Sequence, residues 1–240
     1  MDKNTYFNLV EFWDETFKMS EDDKRELLSQ INPDEDYKTL APSQKQFDCL
    51  TSFNGYQHVL DYGCGSGWAS IIMAKSGTKK ITAVDVSKNS IEMTNCYAKA
   101  FQIEDIVDEI FIDENWLKQQ KSGGFDGFFC SNVIDVVPLD MAEEIIKESA
   151  RVVKKDGRVV FSLNFYIEPK LMLERGAIIE GPHVYLNGVL RLTSLKDEEW
   201  LEIFKKYYEL VSLDYFAWPG EQKETRRLFT LKPLKENDSE

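Results

Sequence analysis

The sequence predicts an α/β fold, a doubly wound and mostly parallel sheet with helices on both faces. Three observations carry that expectation. From Gln57 to Phe165 short apolar runs alternate with amphipathic stretches of helical period, and such repetition builds a parallel sheet. The runs are apolar throughout rather than at every second residue, as strands covered on both faces require. A glycine-rich turn, Gly63 to Gly67, joins the first run to the first helical stretch. That is where open parallel sheets bind ligands.

Each element follows in order. "HVLDY" reads as the first strand and "WASIIMAKSG" as a helix stopped at Gly77. "KITAVDV" is the second strand, after which Ser87 caps the helix "KNSIEMTNCYAKAF". "DEIFI", "FDGFFCSNV" and "GRVVFSLNF" are the third, fourth and fifth strands. Between the last two, "DMAEEIIKESARVVKKDG" reads as a helix with a capping-box-like start at Asp140 and Glu143, ended by Gly157. Ahead of the sheet lie two or three helices: one around Tyr6–Phe17, one beginning at Ser20, and one from Ser43, which pairs with Gln46 as a capping box.

After Glu168, "HVYLNGVLRL" is two apolar runs joined by Asn187-Gly188, a two-residue hairpin signal. "SLKDEEWLEIFKKYY" then reads as a helix with Leu195, Trp200, Leu201 and Phe204 inward. "YELVSLDYFAW" and "TRRLFTLKP" add two strands, with an antiparallel edge, for a seven-stranded sheet. The expected organisation is an N-terminal helical cap over residues 1–54 and a ligand-binding domain over 55–234 carrying a small insertion at 168–193. The tail, 235–240, reads as disordered.

Composition narrows the function. The chain has 240 residues, is 42 % hydrophobic, and sets 29 basic against 42 acidic residues, a net charge of −13. That balance opposes binding to a phosphate backbone, so neither DNA nor RNA is expected as a partner. The four cysteines contain no C-x-x-C pair, and the two histidines are far apart. No zinc signature and no metal site are expected, and the thiols fit a reducing cytoplasm. The N-terminal "MDKNTYFNLVEFWDETF" lacks the apolar core of a signal peptide. No apolar stretch approaches the ~20 residues that span a bilayer, so no membrane partner is expected.

The glycine turn decides among nucleotide folds. A phosphate loop of the form G-x-x-x-x-G-K-[ST] is absent. The dinucleotide fingerprint needs a third glycine where this chain has Trp68, and an indole there obstructs close helix–strand packing. Asp61 precedes the loop; a carboxylate disfavours an anionic ligand there and favours a cationic one.

At this point "VLDYGCGSG" resembles the first motif of class I S-adenosylmethionine-dependent methyltransferases. The resemblance runs from Gln57 to Phe165, about half the chain. It implies a Rossmann-like fold with Asp61, Gly63, Cys64, Gly65, Gly67 and Trp68 under the methionine and ribose part of S-adenosylmethionine. It also places Asp85, with Val86 beside it, on the ribose hydroxyls. Asp113 would face the adenine amino group, and Glu114 would offer a backbone N–H to the ring. Ser131, in "CSNVIDVVP", would lie beside the methionine part. Asp156 stands where the family carries a glycine before the fifth strand.

The chemistry agrees, because a ribose diol offers two adjacent donors to a carboxylate. Each charge-assisted bond of that kind contributes roughly 1.5–3 kcal/mol.

The resemblance implies transfer of a methyl group to an O or N nucleophile, leaving S-adenosylhomocysteine. A small-molecule acceptor is expected, since the N-P-P-Y string of amino-methylating nucleic-acid enzymes is absent after the fourth strand. Trp13, Asn132, Tyr166 and Tyr185 are the candidate acceptor contacts, with the hairpin to Arg191. No catalytic base is assigned; His183 is a lone loop histidine. The aromatic set Tyr6, Phe7, Phe12, Trp13 and Phe17 reads as a helix packed on the domain, or as a lid. A protein acceptor, a non-catalytic cofactor-binding module and a nicotinamide-dependent dehydrogenase are the alternatives.

Overall fold

A computed structural model describes residues 3–168 and 170–234. Three helices precede the sheet: α1 (Lys3–Thr16), α2 (Glu21–Gln30) and α3 (Gln44–Thr51), with a 3-10 turn at Asp36–Thr39. Local chemistry starts two of them. Ser20 and Asp23 exchange side-chain and backbone hydrogen bonds in a complete capping box. At Ser43 only half the expected box forms. Its hydroxyl accepts the Gln46 N–H, while the Gln46 amide turns inward to donate to the Ser162 hydroxyl at 3.0 Å.

The alternation follows: β1 (Val59–Tyr62), α4 (Trp68–Lys75), β2 (Ile81–Asp85), α5 (Lys88–Ala100), β3 (Val107–Phe111) and α6 (Trp116–Gln119). It continues through β4 (Phe125–Ser131), α7 (Leu139–Val152) and β5 (Val153–Leu163). The insertion holds α8 (Lys170–Leu173), β6 (Ile178–Glu180), β7 (His183–Leu186) and β8 (Val189–Thr193). Then come α9 (Asp197–Phe204), β9 (Tyr208–Phe216) and β10 (Arg226–Pro233).

The main sheet has seven strands in the order β3-β2-β1-β4-β5-β10-β9, parallel except that β10 runs antiparallel to both its neighbours. Its central strands are buried along their whole length. The twofold period of a strand sends successive residues to opposite faces. Val59 and Phe129 join the core built on α3, α4 and α5, with Leu50, Ile72 and Phe101. Leu60 and Phe128 join the core under α7 and α9, with Ile146, Trp200 and Phe204. Fully burying a side chain of this size contributes about 1.5–3 kcal/mol. Leu201, expected inward with Trp200 and Phe204, is only partly buried. The strand order reverses between β1 and β4, which opens a crevice at their carboxyl ends.

Two expectations need correction. Helix α7 begins at Leu139, with Pro138 at the N-cap and no side-chain cap of its own. Asp140 Oδ1 accepts the Met141 N–H at 2.9 Å, but the reciprocal box with Glu143 does not form, and the Leu139 N–H is taken from elsewhere: His183 Nε2 accepts it at 3.0 Å. Gly157 does not end that helix. The chain passes directly from Val152 into β5, and Gly157 lies inside the strand, where a Cβ would meet Val153 Cγ1 at 2.5 Å and the Asp126 carbonyl at 2.6 Å. The hairpin forms with the left-handed pair Asn187 (φ 53°) and Gly188 (φ 77°). It belongs to a separate three-stranded sheet with β6, a strand the sequence did not signal. The tail 235–240 lies outside the described residues.

Candidate active site

A cavity of about 380 Å³ opens at the carboxyl ends of β1, β2 and β4, within the range of small-molecule sites. Its floor is the loop after β1. Gly63 and Gly65 both adopt positive φ, 73° and 55°. Side chains would also lack room: a Cβ on Gly63 would lie 2.2 Å from Val133 Cγ2, and one on Gly65 would lie 3.1 Å from Phe17 Cζ. The N–H groups of Gly63 and Cys64 both donate to the Val84 carbonyl, at 2.8 and 3.0 Å, which pins the loop to β2.

Two carboxylates meet there. Asp61 is buried on β1 and accepts the Ser70 hydroxyl at 2.6 Å. Asp85 ends β2; its Oδ2 accepts the Gly65 N–H at 3.0 Å and its Oδ1 the Ser87 N–H at 2.9 Å. Burial pushes Asp61 up to about 7, with the charge of Asp85 adding to the rise. Burial likewise pushes Asp85 up to about 6, against the two N–H bonds that favour its charged form. Among the described residues, those lining the cavity include no Lys, Arg or His. A pair of acids without a counter-charge suits a cationic ligand that presents hydroxyl donors, and it repels phosphate.

Helix α1 is the roof. Tyr6, Leu9, Val10, Trp13 and Phe17 share one face at helical spacing and line the cavity. Phe7 of the expected aromatic set points to solvent, 64 % exposed. Phe12 lies under the Arg191 guanidinium at 4.0 Å. The Tyr6 hydroxyl is hydrogen-bonded to Glu114, and burial together with the Glu114 and Asp113 charges pushes it up to about 12.

Of the expected site residues, the structure brings Asp61, Gly63, Cys64, Gly65, Trp68, Asp85, Val86 and Ser131 together on the cavity, with Trp13 and Asn132 from the acceptor set. Cys64 is fully buried; burial drives its thiol well above the ordinary range. Gly67 faces away, with Thr94 Cγ2 2.7 Å from where its Cβ would be. Asp113 and Glu114 are not on the lining; Ile112 is the residue of that segment which is. Asp113 Oδ1 accepts the Asn115 N–H in a local turn.

Tyr166 and Tyr185 are also absent from the lining. Beyond β5, Asn164 is pinned by its N–H and Nδ2 to Asp135 Oδ2, at 2.7 and 2.9 Å, and the chain leaves for the insertion. Tyr166 donates to Glu168 at 2.8 Å, and Tyr185 stands edge-on to His183 within β7. His183, accepting an N–H with Nε2, is committed to the start of α7.

Sequence reasoning missed Pro42, Gln46 and Trp218, which enter the lining from distant segments. No local pattern marks them. Trp218 is held from behind: Arg226 stacks on it at 3.5 Å, pairs with Glu221 and donates to Asn164 Oδ1 at 2.6 Å. Asn132, left-handed at φ 56°, donates to the same oxygen at 3.0 Å. Among the described residues no group of three His, Cys, Asp or Glu could hold a metal, and no helix is long and apolar enough to cross a membrane.

Known proteins resemble this arrangement. Residues 59–157 match the family model described as a methyltransferase domain. The ubiquinone biosynthesis O-methyltransferase of Idiomarina loihiensis is 31 % identical over 127 residues, 52 % of this chain and 49 % of that protein. The enzyme of the same description from Albidiferax ferrireducens is 32 % identical over 107 residues, 44 % of this chain and 40 % of that protein. The chain thus spans about half or less of the length of these relatives. Among solved structures, the 1,6-didemethyltoxoflavin-N1-methyltransferase of Burkholderia thailandensis, with 1,6-didemethyltoxoflavin and S-adenosylhomocysteine bound, superposes with a TM-score of 0.67. It is 14 % identical, over 96 % of this chain and 89 % of that one. The N-methyltransferase NodS of Bradyrhizobium japonicum WM9, in complex with S-adenosylhomocysteine, gives 0.62 at 15 % identity over 95 % and 100 %.

Proposed function

We propose that this chain, whose residues 59–157 match a methyltransferase domain, is a class I S-adenosylmethionine-dependent methyltransferase that transfers a methyl group to an oxygen or nitrogen nucleophile of a small molecule. The carrying observation is the cavity at the β1/β4 switch point, lined by Asp61 and Asp85 with no basic residue among the described ones. Those residues fit S-adenosylmethionine and oppose a pyrophosphate.

Asp85 would take the ribose hydroxyls, and its backbone bonds to Gly65 and Ser87 leave lone pairs on both oxygens. The bare backbone of Gly63–Gly65 would lie along the methionine part, with Ser131 opposite. Val86 and Ile112 offer apolar walls to the adenine, and Asp113 and Glu114 follow Ile112 in the chain, off the lining. When bound, the cofactor supplies an activated methyl group on a sulfonium, so alignment and dryness are the main demands on the protein. Aromatic side chains of the roof exclude water and favour a cation. Asn132, Gln46 and Trp218 would orient the acceptor, and Trp13 would close over it. Tyr166 and Tyr185 leave that set.

The methyltransferase relatives and the modest, roofed cavity support a small acceptor. The net charge of −13 opposes nucleic acid, and four free, buried cysteines fit a reducing cytoplasm. The test is turnover with S-adenosylmethionine against a panel of phenols, amines and nitrogen heterocycles, read as S-adenosylhomocysteine released. Release dependent on one acceptor class supports the reading. Tight binding of S-adenosylmethionine with no release from any acceptor would instead favour a binding module.

A further inference from the structure

Helix α1 covers the cavity, and its grip on the sheet edge converges on Asp85. Asp14 follows Trp13 on α1 and reaches across to the start of α5. Its Oδ1 accepts the Ser87 hydroxyl at 2.8 Å and the Asn89 N–H at 3.0 Å. Asn89 Nδ2 donates back to the Asp14 carbonyl at 2.8 Å and to Oδ2 at 3.2 Å. Helix α5 does not depend on Asp14 to begin. Ser87 already caps it, accepting the Ser90 N–H at 2.9 Å. Asp14, a second acceptor on that N-terminus, therefore ties two elements together.

What it ties matters more. Ser87 is also the residue whose N–H fixes Asp85 Oδ1. The other oxygen of Asp85 is fixed by the Gly65 N–H, and Gly65 lies against the ring of Phe17, just past the end of α1. Two of the backbone donors that orient Asp85 thus belong to residues touched by the same segment: Asp14 bonds Ser87, and Phe17, just past α1, packs on Gly65.

We infer that Asp14 is a positioning residue that couples closure of α1 over the cavity to the orientation of Asp85, so that filling the cavity and closing its roof are one event. The inference rests on the cofactor reading above. Coupling is reciprocal: a ligand that draws on Asp85 tightens α1, and loosening α1 weakens the ligand. Tyr6 on Glu114 and Phe12 under Arg191 also hold α1, and the Tyr6 hydroxyl feels the Asp85 charge as well.

The test uses the full chain and three variants. Asp14→Ala removes the tie, Asp14→Asn keeps an oxygen to accept the Ser87 hydroxyl, and Glu15→Ala removes an exposed neighbour paired with Lys18. Two readouts are taken: S-adenosylhomocysteine affinity by calorimetry, and amide hydrogen exchange with and without that ligand. In the wild type the ligand protects both residues 63–67 and α1. For Asp14→Ala we expect affinity lower by about ten-fold, with protection retained at 63–67 and lost along α1. Asp14→Asn falls between, and Glu15→Ala matches the wild type. Wild-type affinity in Asp14→Ala, with α1 still protected by ligand, overturns the coupling and leaves the cofactor reading intact. A wild type that does not bind S-adenosylhomocysteine overturns both.

Discussion

Replacing Asp61 with Asn should make the empty protein more stable while costing it its ligand. Asp61 is buried, receives one hydrogen bond from Ser70, and faces the like charge of Asp85. Its folded value is about 7 against an ordinary 3.8. A raised folded value means that this group's contribution to stability is fully present below the ordinary value and is lost as pH rises through the folded one. A rise of about three units, at about 1.4 kcal/mol per unit, sets a penalty of about 4 kcal/mol at pH 8. Asparagine keeps an oxygen for Ser70 but buries an amide that lacks a full set of partners, which returns part of the gain. A net stabilisation of about 2 kcal/mol remains, or about 4–8 °C in Tm for a chain of this size. The assay is urea or thermal unfolding of ligand-free wild type and Asp61→Asn from pH 5 to 8.5. The wild-type curve should fall relative to the variant between pH 5 and pH 7. Parallel curves, or a variant less stable at pH 8, would refute the view that Asp61 is held ionised at the expense of the fold.

Other consequences follow from the same geometry. Asp85→Asn should keep the fold by circular dichroism and weaken S-adenosylhomocysteine binding about 10–100-fold in calorimetry, the loss of charge assistance on the ribose bonds. Affinity for S-adenosylmethionine should rise from pH 5 to pH 8, because Asp85 near 6 and Asp61 near 7 must ionise to hold a cation; a flat profile would count against the pair. Gly63→Ala should destabilise the protein by about 1–3 kcal/mol in denaturant, since φ is +73° and Val133 occupies the space. His183→Ala should cost about 1 kcal/mol, the acceptor of the Leu139 N–H, and leave the pH profile of kcat unchanged. A lost acidic limb in that profile would make His183 a proton acceptor in the reaction.

The central sheet was legible because its signals are local and redundant. Apolar runs of strand length, Ser87 as a cap and Asn187-Gly188 as a turn each fix geometry within a few residues. The loop after β1 was legible for the same reason: glycines at Gly63 and Gly65 stand where neighbours leave no room for a Cβ. Where tertiary contacts replace local ones, reading failed. The cap of α7 comes from His183, 44 residues further along the chain, so Asp140 was the only acceptor visible from nearby. Gly157 looked like a helix stop, yet it is a clearance for the Asp126 carbonyl across the sheet. Trp218 and Gln46 reach the cavity through strand order and helix packing, which no motif encodes. Tyr166 and Tyr185 were placed by their proximity to strand ends; the Asn164–Asp135 bonds that redirect the chain had no sequence signature. The roof was half visible, since the aromatic spacing of α1 was clear but not which of its rings faced inward.

On the proposed function, this cavity is built for a cationic, phosphate-free adenosyl ligand. Isothermal calorimetry of the full chain with S-adenosylmethionine, S-adenosylhomocysteine, NAD and ATP tests that claim most directly. The expected result is one S-adenosylmethionine or S-adenosylhomocysteine per chain, with no heat from NAD or ATP. Binding of NAD or ATP without either sulfur ligand would contradict it.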